Sequence, residues 1–147
     1  MHDEQWTIII KEIFMLQLET TYFKRNELGC SQDSNIFLNK LRVATANHIY
    51  YINIEDIVRI QSISNYSKLF FTNGQTLIVC KVLAYFEEIL AKRNFSRIHR
   101  THLVNLIHMK EYLHGSVTKI GMSNNELLPV SRRKKSTLQQ KIMMLSL

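Results

Sequence analysis

From Ile36 onward the apolar residues fall into short runs, and only one stretch before the C-terminus has helical spacing. Segments 37–44, 49–52, 57–63, 66–72 and 75–79 carry β-branched and aromatic residues in strand-like patterns, closed by polar turn residues. Asn73 and Gly74 between two such runs are a strong hairpin signal, because both residues tolerate positive φ. Segment 81–92 switches to a helical period, with Val82, Leu83, Phe86, Ile89 and Leu90 on one face. Extended runs resume over 95–106, 109–114, 117–122 and 126–130, with a hairpin around Gly115 and Pro129 implying a sheet edge or strand end. Ser131 is placed to cap a last helix reaching about Met144. The order of runs shows no βαβ alternation. The pattern therefore predicts a mainly β domain of about nine short strands, with one mid-chain helix and a C-terminal helix.

The N-terminal 35 residues are different in kind. Trp6, Ile9, Ile10, Ile13, Phe14, Met15 and Leu16 recur at helical spacing, which predicts a helix over 4–24, followed by a polar connection over 26–35. Three Lys/Arg face six Asp/Glu in residues 1–35, a balance of −3, whereas 16 face six in 36–147, a balance of +10. We therefore expect an N-terminal helical extension and linker over 1–35 and a basic domain over 36–147. The extension has enough apolar surface to pack on that domain or to form a homodimer, and both uses remain open. It is too often interrupted by charge to span a membrane, and the opening Met-His-Asp-Glu has the wrong charge for a signal peptide. Cys30 and Cys80 lack metal spacing and fit free thiols in a reducing cytoplasm.

A +10 domain attracts polyanions over long range, so its cations deserve residue-level inspection. Arg97, His99 and Arg100 lie among hydrogen-bonding Ser96, Thr101 and Asn105 and apolar Phe95, Ile98, Leu103 and Val104. Strand alternation puts Arg97 and His99 on one face and Ile98 in the core. Continued alternation would bury Arg100, so the strand must end or bend there and leave its guanidinium on a loop, where its fork matches a phosphate or a guanine edge. A solvated strand end, or an Arg paired to Glu111 or Glu126, fits the same residues. Arg132, Arg133, Lys134 and Lys135 fall in the first turn of the expected last helix, where cations oppose the helix dipole unless an anion arrives. Ser64, Asn65, Tyr66, Ser67 and Lys68 form a third polar cluster between two strands.

Other chemistries are poorly supplied. His99, His102, His108 and His114 lie close in sequence but lack an acidic ligand set, so neither a metal nor another cofactor is expected. No nucleophile–base or paired-carboxylate arrangement stands out, which argues against an enzyme. Base-stacking aromatics are not arranged on one strand, which disfavours RNA.

Two ordered stretches make the chain resemble the LytTR-type DNA-binding domain family. One is Phe95, Arg97, Ile98, His99, Arg100, Thr101, His102, Leu103, Val104 and Asn105; the other is Leu128, Pro129, Val130, Ser131, Arg132, Arg133, Lys134 and Lys135. Ile57 to Ser62, Asn65, Tyr66 and the helix end at Glu87, Glu88, Ile89 and Leu90 follow in order, so the resemblance covers about 36–144. It implies an elongated antiparallel β-fold of short sheets and a bacterial transcription regulator bound to double-stranded DNA. It also implies contacts made from loops in successive major grooves, with bending of the duplex. Carried over by position, the reading loops are Ser64, Asn65, Tyr66, Ser67 and Lys68, then Arg100, then Arg133, with Arg97, His99 and Lys134 as phosphate or supporting contacts. Gln61, where the family often has an acid, and segment 77–82 depart from the family pattern. The 35 residues before the basic domain cannot form the receiver found in many relatives, so a stand-alone regulator or a separate sensor partner is expected. The competing expectation is a protein-interaction module acting through segment 4–24, with an incidental basic surface.

Overall fold

The computed structural model describes residues 36, 37 and 39–146. The helix expected over 4–24 lies outside these residues, as does the interaction-module expectation that depends on it. Among the described residues, eleven strands form three antiparallel sheets. The first has the order β1-β2-β3, made by β1 (Ile36–Phe37), β2 (Lys40–Ala44) and β3 (Ile49–Asn53). The expected single strand over 37–44 is broken at Asn39, whose φ of 63° folds β1 back onto β2. Asparagine tolerates this left-handed conformation better than most residues.

The central sheet has the order β6-β5-β4-β8-β7. Its strands are β4 (Ile57–Ile63), β5 (Tyr66–Phe71), β6 (Thr76–Val79), β7 (Phe95–His99) and β8 (His102–Asn105). The Asn73–Gly74 hairpin forms as expected: Gly74 has a φ of 82°, and Asn73 Oδ1 accepts from the Gln75 N–H at 2.9 Å. The third sheet, β11-β10-β9, contains β9 (Met109–Leu113), β10 (Lys119–Met122) and β11 (Leu127–Pro129), with Pro129 ending an edge strand.

Each face of the central sheet covers its own core. On one face Ile60, Leu69, Val79, Phe95 and Leu103 pack with Leu41 and Val43 of the first sheet and with Leu83, Phe86 and Leu90 in and beside α1 (Leu83–Ile89). On the other face Val58, Ile98 and Val104 meet Ile120, Met122 and Leu128 of the third sheet and Leu138 of α2 (Lys135–Leu145). Each such fully buried side chain contributes roughly 1.5–3 kcal/mol. None of the described helices is long and apolar enough to cross a membrane.

Both helices start later than the sequence suggests. α1 begins at Leu83 rather than 81, because Val82 is extended and the Lys81 carbonyl accepts the Ser67 hydroxyl at 2.7 Å. At the C-terminus Ser131 makes no side-chain cap. Arg132–Lys134 instead form a 3-10 turn closed by the Lys134 N–H on the Ser131 carbonyl at 3.0 Å, and the α-helix follows. Three of the four cations therefore precede the helix instead of occupying its first turn, which weakens the argument from an opposed helix dipole.

Candidate nucleic-acid interface

Sheet topology brings the three polar clusters together. Ser64 and Asn65 turn β4 into β5, and Arg100 and Thr101 turn β7 into β8. Since β4 and β8 are antiparallel neighbours, both turns emerge from the same end of the sheet, and the Ser62 N–H bonds the Thr101 carbonyl at 2.9 Å. The Ser131 N–H bonds the Ile98 carbonyl at 2.8 Å, which docks the 132–134 turn beside β7 at that end. With strands spaced about 4.8 Å apart, neighbouring clusters lie roughly 10 Å apart, in a row about 20 Å long.

The individual side chains differ in availability. Arg100 is exposed on its turn, and Arg132 and Arg133 are exposed on theirs. None of these three side chains, nor that of Lys135, has an ion pair or hydrogen bond among the described residues. Asn65 is exposed, as is Ser64, which has a φ of 54°. Tyr66 and Lys68 are half-buried, with Lys68 Nζ 5.2 Å from the Phe70 ring centroid.

Ser67 is a correction. It is 0% exposed, and its hydroxyl is committed to the Lys81 carbonyl. Period-two alternation places it on the same face as buried Leu69, whereas Tyr66 and Lys68 point the other way. Asn105 is likewise buried; it donates to the Ile57 carbonyl at 3.0 Å and caps the 3-10 turn after β8. Ser96 is also buried.

Arg97 braces the turn beside it. Its Nη1 donates to Glu87 at 2.6 Å, its Nη2 to the Arg100 carbonyl at 2.8 Å and its Nε to the His99 carbonyl at 3.4 Å. Lys134 Nζ lies 3.8 Å from the same Glu87 carboxylate. His99 Nδ1 accepts the Thr101 N–H at 3.3 Å and contacts its hydroxyl at 2.8 Å.

The sequence reading missed an ion pair behind the row, between a buried arginine and a half-buried carboxylate. Arg59 is 5% exposed and meets the Glu126 carboxylate through Nε and Nη2, with Nη2 at 3.0 Å from Oε1. Its Nη1 donates to Gln61 at 2.9 Å, and its guanidinium lies 3.6 Å from the Phe70 centroid. Glu126 is thereby used by Arg59, not by Arg100. The Arg59 hydrogen bond holds the Glu126 carboxyl below its usual range. A charge flanked by Val58 and Ile60 was the available signal, since a buried Arg must find a partner. Burial, then the nearby Arg59 and His99, push His102 down to about 4. The His99 and His102 rings are 5.8 Å apart, and no group of three or more His, Cys, Asp or Glu residues is placed for a metal among the described residues. An open groove of about 550 Å³ lined by Tyr50, Tyr51, Phe71 and Asn73 lies by the β5–β6 turn, at the far end of the sheet.

The family model described as the LytTr DNA-binding domain matches residues 47–143. No curated protein matches the chain. Among solved structures, one similar fold is the LytTr DNA-binding domain of a Bacillus cereus protein described as a methyl-accepting/DNA response regulator. The two share 21% identity with a TM-score of 0.61, over 72% of this chain and 98% of that one.

Proposed function

Because the chain belongs to the LytTR DNA-binding domain family, we propose that it is a sequence-specific regulator of transcription that reads double-stranded DNA from the cationic end of its central sheet. Arg100 and Arg133 read base edges, and Asn65 and Lys68 act from the third cluster. Arg132, Lys134, Lys135 and His99 bind phosphate or support those that do, and Ser64 and Tyr66 shape the β4–β5 turn. The observation that carries this reading is the convergence of three sequence-distant clusters on one sheet end, with exposed arginines that have no protein partner among the described residues. Grouped exposed cations repel one another, and a polyanion relieves that repulsion with release of its counterions. A row about 20 Å long exceeds the roughly 12 Å width of one major groove, so it reaches base edges in a groove and phosphates beside it. Guanidinium forks suit the reading positions because they pair bidentately with guanine.

Selection of duplexes from a random pool by the full chain tests the proposal. Enrichment of a defined sequence is expected, with affinity that falls steeply as salt rises. Repetition of half-sites at a spacing of about 10 bp would mark a dimer on the DNA. Recovery of no preferred sequence, with weak and uniform binding at low salt, would refute sequence-specific reading.

A further inference from the structure

Glu87 is an acidic residue placed among the cations of the proposed interface. Its Oε2 accepts from Arg97 Nη1 at 2.6 Å, and its Oε1 lies 3.8 Å from Lys134 Nζ. Arg97 carries the connection onward to the Arg100 carbonyl at 2.8 Å and the His99 carbonyl at 3.4 Å. One half-buried carboxylate on α1 thus ties together the turn that presents Arg100 and the 3-10 turn of Arg132–Lys134. Its charge opposes the approach of phosphate, so simple attraction gains nothing from it. What it supplies is relative placement.

We propose that Glu87 is a specificity-determining positioning residue, which sets the placement of Arg100 relative to the 132–134 turn through Arg97 and Lys134. The proposal rests on the DNA-reading function above. Phosphate attraction tolerates displaced cations, because it depends on charge and distance. Bidentate reading of a base edge does not, because the fork must match two acceptors at once. Glu87 therefore acts on discrimination between sequences while slightly opposing binding to any sequence.

The test uses the full chain, the duplex that the wild type enriches from a random pool, and a scrambled duplex of the same composition. Glu87→Gln is expected to weaken binding to the enriched duplex about tenfold, in the range of one lost base contact, while the scrambled duplex binds equally or more tightly. Arg97→Lys retains the charge at that position but loses the guanidinium fork to the two carbonyls, and it should lower the same ratio. In an Arg100→Ala background the effect of Glu87→Gln should shrink to about twofold or less, because the residue being positioned has gone. Parallel changes on both duplexes, or a full tenfold loss that persists without Arg100, would overturn the role of Glu87 alone. If the wild type enriches no sequence, or Arg100→Ala binds the enriched duplex normally, the underlying reading falls, and this proposal with it.

Discussion

Replacing Glu126 by Ala should cost about 2–3 kcal/mol of folding stability, and the geometry around Arg59 sets that figure. Breaking a fully buried ion pair typically costs about 3–5 kcal/mol, whereas an exposed pair contributes about 0–1 kcal/mol. The Arg59 side chain is 6% exposed and that of Glu126 37%, so this pair lies between those limits. Gln61 and the face of Phe70 remain on the guanidinium after the substitution and keep the cost below the upper limit. At about 4 °C per kcal/mol for a domain of this size, the thermal midpoint should fall by roughly 8–12 °C. Thermal unfolding followed by circular dichroism at neutral pH measures it. Glu126→Gln keeps an acceptor oxygen and should cost less, about 1 kcal/mol. An Arg59→Met/Glu126→Ala double variant should recover part of the loss, because no unpaired charge stays buried. The pair also has a pH signature. The folded-state carboxyl of Glu126 lies below its ordinary value of 4.5, chiefly through the Arg59 hydrogen bond. Its contribution is therefore complete above that ordinary value and is lost as pH falls through the lower folded one. A Glu126→Ala variant within about 0.5 kcal/mol of wild type, or a double variant no more stable than the single one, would refute the reasoning.

Arg100→Ala and Arg133→Ala should each weaken binding to the enriched duplex by about 1–3 kcal/mol and relax selection at one base position, measured by titration and by repeated pool selection. Ser67→Ala should lower stability by about 1 kcal/mol in urea unfolding through loss of the bond to the Lys81 carbonyl, and leave DNA affinity unchanged; a selective loss of affinity would restore Ser67 to the interface. Burial holds His102 at about 4 against an ordinary 6.5, so below 6.5 the unfolded chain takes up a proton that the folded one refuses. Stability should therefore decline as pH falls through that window, and His102→Gln should flatten the decline in urea midpoints; an unchanged slope would count against a buried neutral ring.

Much of this architecture was legible in residue order. The switch of period at 81–92, the Asn73–Gly74 turn and Pro129 at a strand end each act through neighbouring backbone, so local chemistry suffices to read them. Arg100 on a turn was equally accessible, because alternation would otherwise have buried its charge. Ser67 shows where composition alone misleads. A polar residue in a polar cluster looked available, yet the same period of two puts it beside Leu69.

What the sequence determined by itself is a mainly β domain with three polar clusters, since strand, turn and charge pattern are properties of neighbours in the chain. Only the tertiary structure decided which clusters meet and which charges they keep. Adjacency of β4 and β8 puts the turns after Ile63 and after His99 at one sheet end, and strand order is a property of the whole sheet. Partner choice is also non-local: Glu126 lies 67 residues from Arg59, and Glu87 ten residues from Arg97. Packing had to assign the first carboxylate to a buried guanidinium before the Arg100 side chain could be left without a partner among the described residues at the sheet end.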